Sequence, residues 1–185
     1  MKPHWLTLVV ALQVAWLAGT AVTAHRHLVT GHVVRLETVP VDPRDLLRGD
    51  FVTLAYDFSR IPADRFDPPL PGGHLPQPGA TVYVDLAPDG AFHRLARASL
   101  TPGNVPEGHV MLRGEVARSA TFLRRDTRTV AVEYGLERYY VREGTGNPRG
   151  RLTVDVSVSD FGVGQIKDVY VDGVPYLQAM RQEAP

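Results

Sequence analysis

VDPRDLLRGDFVTLAY, residues 41–56, changes its period halfway along. In the first half Asp42 suits an N-cap, its carboxylate accepting from the amides of Arg44 or Asp45. Pro43 takes the first helical position, where a missing N–H costs nothing. Asp45 adds negative charge at the positive end of the helix dipole, and Gly49 falls where a left-handed residue ends a turn. From Asp50 onward the period is two: Val52, Leu54, Tyr56 and Phe58 point one way, and Phe51, Thr53, Ala55 and Asp57 the other. One helical turn therefore feeds a core strand, and a half-buried strand needs a sheet to join.

The rest of the chain supplies that sheet. Residues 31–38 alternate Val33, Arg35 and Glu37 against His32, Val34, Leu36 and Thr38. Residues 81–86 pair with 91–98 through Ala87-Pro88-Asp89-Gly90, a turn in which proline sets φ and glycine tolerates a positive value. Residues 110–117, 129–141, 152–159 and 165–171 complete about eight strands, the last two joined as a hairpin around residues 160–164 and ended by Asp172-Gly173. Gly135 is expected to break its strand at a bulge. Tyr139 and Tyr140 must face opposite sides, so at most one is core. Residues 61–80 hold six prolines and three glycines and are expected to form a long surface loop. The expected fold class is all-β, an antiparallel barrel or sandwich of about eight strands, with edge closure favouring the barrel.

The N-terminus carries a different signal. WLTLVVALQVAWLAGTAVTA, residues 5–24, has no charge, and at about 1.5 Å per residue it covers a hydrocarbon core of roughly 30 Å. Val22-Thr23-Ala24 offers the small residues of a signal cleavage site, but the run is longer than a signal core, which favours an uncleaved anchor. Arg26 and Arg35 lie just beyond it, so the positive-inside count does not by itself place the following domain outside. The expected organisation is an anchor or signal segment over residues 1–28 and one β-rich domain over 29–180.

In 185 residues Lys+Arg and Asp+Glu both total 20. With no net field and no like-charge block longer than Arg124-Arg125, nucleic acid is a poor partner. Cysteine is absent, which excludes disulfides, thiolate catalysis and cysteine metal sites. A serine–lysine peptidase fails on inventory: Lys167 is the domain's one lysine, and Ser59, the first serine, follows the motif. His25, His27 and His32 cluster near the end of the apolar run without a carboxylate–histidine zinc motif, so no metal and no cofactor is expected.

GDFVTLAY at 49–56 resembles the signature of the bacterial GDYXXLXY family, matching Gly49, Asp50, Leu54 and Tyr56, with Phe51 in place of the first tyrosine. YGLERYYVREGTG at 134–146 resembles the family's second block, with Arg142 where proline is common. The resemblance implies a small bacterial protein with an N-terminal membrane segment and no established activity. Members of that family occur beside, or fused to, a multi-pass membrane protein, which the resemblance implies as partner. The expected location is the bacterial inner membrane, single-pass, with the C-terminal domain extracytoplasmic.

Between the two blocks, Arg44, Asp45, Arg48 and Asp50 are expected to meet Glu137, Arg138 and Glu143, with Tyr140 alongside. Arginines satisfying carboxylates and holding two strands in register is the first reading. Contact with a partner or anionic ligand, with Arg44 and Arg48 as donors, is the second. The candidate binding set is thus Arg44, Arg48, Asp50, Glu137, Arg138, Tyr140 and Glu143. The expected function is a non-enzymatic, membrane-tethered envelope domain that binds a membrane-protein partner and contacts lipid through residues 5–24. The alternative is an envelope hydrolase using Asp45, Asp50, Glu137 or Glu143.

Overall fold

The apolar run folds as one helix, α1, His4–Thr30, in a computed structural model that describes residues 4–39, 51–118, 129–141 and 150–183. The helix is long and apolar enough to cross a membrane, and none of its apolar window is buried against the rest of the chain. Three of its threonines turn their hydroxyls back onto the helix: Thr20 donates to Leu17 O, Thr23 to Gly19 O and Thr30 to Arg26 O.

Gly31 alone separates α1 from the first strand, β1, His32–Val39. Val34 and Leu36 are fully buried as the alternation predicts. The later strands are β2 (Phe51–Thr53), β3 (Ala55–Tyr56), β4 (Arg60–Pro62), β5 (Thr81–Asp89), β6 (Phe92–Ser99), β7 (Val110–Val116), β8 (Thr129–Glu133), β9 (Arg138–Tyr140), β10 (Leu152–Val158), β11 (Gly164–Val171) and β12 (Val174–Pro175). A closing helix, α2, spans Tyr176–Glu183. One sheet runs β12-β11-β10-β1-β3, a second pairs β2 with β9, and a third runs β4-β8-β7-β5-β6.

The three sheets merge into one nearly closed, barrel-like wall because two segments pass between them. Only Leu54 separates β2 from β3, and residues 134–137 separate β8 from β9. The wall encloses one core, with Val34 and Leu36 of β1, Val82, Val84 and Leu86 of β5, and Val154, Val156 and Val158 of β10 among its fully buried members. β10 is buried on both faces, and its second face is polar: Thr153, Asp155 and Ser157.

Twelve strands among the described residues, against about eight expected, reflect interruption of the expected runs. Val52, Leu54, Tyr56 and Phe58 share the buried face as their spacing requires. After Tyr56, however, the chain winds into a 3-10 turn, Asp57–Ser59, and starts β4. Gly135, at φ +77°, lies just past the end of β8, so the expected interruption is there. It is more than a bulge, because β9, the next strand, belongs to a different sheet. The hairpin of β5 and β6 turns more tightly than the predicted four residues: Asp89 pairs with Phe92, leaving Gly90-Ala91 at the tip. Asp172-Gly173 turns the chain into β12 and α2 instead of ending the sheet.

The proline-rich stretch 61–80 is only in part the expected surface loop. Ile61 is buried within β4, at the end of its sheet, where Pro62 is tolerated for want of a further partner strand. Phe66 and Leu70 also enter the core, and Asp67 N donates to Ala98 O at 2.8 Å along β6. Two large side chains and one ladder bond thus pin this segment across the wall despite its composition.

Gly114 marks a close approach between strands. A Cβ there would lie 2.6 Å from Val132 Cγ1, 2.8 Å from Glu133 O and 2.8 Å from Tyr134 Cδ1. Gly114→Ala should destabilise the protein by about 1–3 kcal/mol through overpacking, read as a lower urea midpoint for the full chain in detergent; an unchanged midpoint would refute this account.

Candidate functional site

The two sequence blocks meet inside the molecule. β2 lies antiparallel to β9, with Phe51 opposite Tyr140, Val52 opposite Tyr139 and Thr53 opposite Arg138. Where this ladder ends, Leu54 N donates to Glu137 O at 2.8 Å. Two buried tyrosines then tie across in opposite directions: Tyr56 Oη donates to Leu136 O at 2.9 Å and Tyr134 Oη donates to Phe58 O at 2.8 Å. Tyr56 and Phe58 stack at 5.3 Å between centroids, and Tyr134 meets Phe58 edge-on at 5.1 Å. Burial pushes both tyrosine hydroxyls well up from their ordinary range, which keeps them neutral donors.

Three of the candidate residues, Glu137, Arg138 and Tyr140, can be placed against this junction. Glu137 lies at its centre, with Oε1 accepting from Tyr134 N at 2.5 Å, so this oxygen holds the tight bend after Gly135. Arg138 and Tyr140 face outward on β9, and Tyr140 is 71% exposed. Tyr139 packs inward against Tyr176 of α2 at 5.5 Å, the opposite orientation that adjacent strand residues require. Arg44, Arg48, Asp50 and Glu143 lie outside the described residues, as do Asp45 and the predicted helical turn over 42–49.

Arginine–carboxylate clusters form elsewhere, between residues the sequence reading did not single out. Arg35 makes a two-pronged contact with Asp155, directly opposite it across β1 and β10, at 2.6 and 2.7 Å, and its guanidinium lies 5.0 Å from the Tyr170 ring centre. Arg94 reaches Asp89, Glu37 and Asp57 at 2.9, 3.1 and 3.5 Å, joining β6 to β1 across the seam. The exposed contacts of Arg94 align the seam more than they stabilise it, since surface ion pairs are worth little in water.

The third cluster borders a cavity of about 280 Å³ whose lining includes Asp67, Tyr83, Asp85, Arg97, Asn104 and Met111. Asp85 is buried, and its carboxylate contacts His109 Nδ1 at 2.6 Å and Arg97 Nε at 3.1 Å. Arg97 also reaches Asp67 at 3.3 Å and donates to Asn104 O at 3.0 Å. The three donor groups of Arg97 thus fasten the loop after β6 over the cavity. No local motif announces these partners; the only hint is that every basic residue except Lys2 and Lys167 is an arginine, the side chain suited to forked carboxylate contacts.

The fold and the junction define a class: a nearly closed antiparallel β domain carried on one N-terminal apolar helix, with its two signature blocks locked to each other in the core. The chain belongs to the GDYXXLXY family, whose model, described as GDYXXLXY protein, matches residues 13–169. Comparison with curated proteins and with solved structures gave no match. In this chain the Leu54 and Tyr56 positions of the motif build the junction, a structural role.

Tyr56→Phe should leave Leu136 O buried without its donor and cost about 1–3 kcal/mol. The check is urea unfolding of the full chain in detergent, and a loss below experimental error would remove Tyr56 Oη from the lock.

Acid should weaken the fold in two steps. Burial pushes the His93 imidazole down, outweighing a hydrogen bond to the Arg35 backbone, and its buried Nδ1 has no partner among the described residues. The hydrogen bond from Arg35 holds the Asp155 carboxyl below its ordinary value. Both groups bind fewer protons folded than unfolded, so their stabilisation is complete above the unfolded values, about 6.5 and 3.9. It is lost as pH falls through the lower folded values. Unfolding midpoints should therefore start to drop below about pH 6.5, and His93→Gln should flatten that upper limb while leaving the lower one. A limb unaltered by the substitution would assign it to another group.

Proposed function

We propose that the protein is a non-enzymatic, membrane-tethered domain of the bacterial envelope that binds a multi-pass membrane protein. The observation that carries this reading is the pairing of an unburied apolar helix with a one-residue joint: α1 ends at Thr30 and β1 begins at His32. A domain joined so closely to its anchor searches a thin layer at the membrane surface, which raises its effective concentration toward anything else embedded there. The face offered to such a partner is the outer side of β9, with Arg138 and Tyr140, an arginine and an aromatic of the kinds enriched in interface centres. The inner membrane, with the β domain on the extracytoplasmic side, is the setting this reading requires.

The hydrolase alternative draws on four carboxylates, of which Glu137 alone is among the described residues; its Oε1 is engaged by the Tyr134 amide.

Mild crosslinking in intact membranes, followed by purification through the full-length chain, should recover one multi-pass protein. Recovery should fall several-fold for the double variant Arg138→Glu, Tyr140→Ser with the fold retained. Capture that the double variant leaves undiminished would move the interface off β9, and a folded chain that captures no membrane protein would refute partner binding.

A further inference from the structure

Phe161 is 76% exposed and stands at the tip of the hairpin between β10 and β11. A single exposed apolar side chain means little in itself, but this one is held rigidly and in a particular place. Its turn is closed by Ser159 N to Val163 O at 3.0 Å, Gly162 N to Ser159 O at 2.8 Å, and Val163 N to Ser159 Oγ at 3.1 Å. Arg113 N, from β7, donates to Gly162 O at 2.7 Å and fastens the turn to the wall. The backbone of the tip is therefore preorganised, with its phenylalanine held outside the core.

The place follows from strand register. β1 starts at His32 opposite Val158, and β10 runs antiparallel to it, so residues after Val158 project past the start of β1 and alongside the last turn of α1. There α1 touches both β10 and β11, and Asp160 comes within 4.0 Å of His32. The uncharged run ends at residue 24, so the six residues to Thr30 rise about 9 Å from the edge of the hydrocarbon. That distance is comparable to the headgroup layer, about 5–8 Å on each side, plus the length of one aromatic side chain.

We infer that the hairpin tip at residues 159–163 is a second membrane contact, with Phe161 seated in the lipid headgroup layer beside the point where α1 leaves the bilayer. The inference rests on the tethered reading above. The occupant is lipid because the surface is continuous with that of the helix. Amphipathic and aromatic groups partition to this layer, as Trp5 would at the other end of α1. Exposed Asp160 beside the ring suits zwitterionic headgroups better than anionic ones. The contact gives the domain two points of support, one covalent and one adsorbed, which restricts its rotation about α1.

The absence of cysteine makes single-site labelling direct. The full-length chain carrying Trp16→Cys, Val39→Cys or Phe161→Cys, each with an environment-sensitive fluorophore, is reconstituted into phosphatidylcholine vesicles with and without doxyl-labelled phosphatidylcholine. Position 16 reports on the span; position 39, at the far end of β1, reports on the body of the domain. Quenching at 161 several-fold above that at 39, together with strong quenching at 16, is expected. Quenching at 161 no greater than at 39, with 16 still quenched, overturns the inference and leaves the tether standing. A tip that is shielded only in native membranes and not in these vesicles would be a protein contact, which also overturns it. Loss of quenching at 16 would defeat the tethered reading itself.

Discussion

The joining of the three sheets depends on one set of backbone-directed bonds, those by which Tyr56 and Tyr134 donate to Leu136 O and Phe58 O while Leu54 N donates to Glu137 O. These bonds occur where the chain changes sheets on both sides at once, so no regular ladder is available to satisfy the polar backbone there. A buried carbonyl left unpaired costs about 1–3 kcal/mol, and the two tyrosines remove that cost while filling the core with their rings. Remove them and β2 with β9 loses its connection to the larger sheets, because their ladder is only three residues long. The aromatic contacts through Phe58 bind the two ties into one unit.

This organisation gives the strand that follows the charge-dense stretch a structural role. Val52, Leu54 and Tyr56 of the motif are used in the junction, and Glu137 of the second block spends an oxygen on a backbone amide. The polar clusters that do form have another logic. Arg35 with Asp155, and Arg94 with Glu37, each cross between strands far apart in sequence, and each sits where two parts of the wall must be aligned. Asp85 with Arg97 and His109 likewise secures a loop over a cavity. Forked guanidinium contacts require a particular approach angle as well as proximity, so they specify register in a way that apolar packing alone does not.

Periodicity revealed the features that depend on neighbours in the chain. The buried faces of β1 and of residues 52–58, the tight turn between β10 and β11, the interruption at Gly135 and the opposite orientations of Tyr139 and Tyr140 all come from local spacing. Periodicity could not separate one long strand from two short ones that pass between sheets, since Leu54 keeps the same face throughout. Nor could it show that Phe66 and Leu70 are buried within a proline-rich run, because composition reports on backbone preference and not on where a segment is pinned. Tyr176 and Met180, four residues apart on α2, are buried against the wall, a pattern too short to announce a helix on its own. The ion pairs were illegible for a simpler reason: Arg35 and Asp155 are 120 residues apart, and nothing local couples them.

That same separation has a consequence for assembly. The strand attached directly to the helix, β1, finds its longest partner only after β10 has been made, which at about 5–20 residues per second is on the order of ten seconds after β1 itself. During that interval an apolar strand edge waits at the end of a helix, while β5, β6 and β7 can already pair among themselves. The wall therefore closes last on its anchored side, and long-range closure of this kind is slow. Until then the newly made chain is most exposed to mispairing beside the helix.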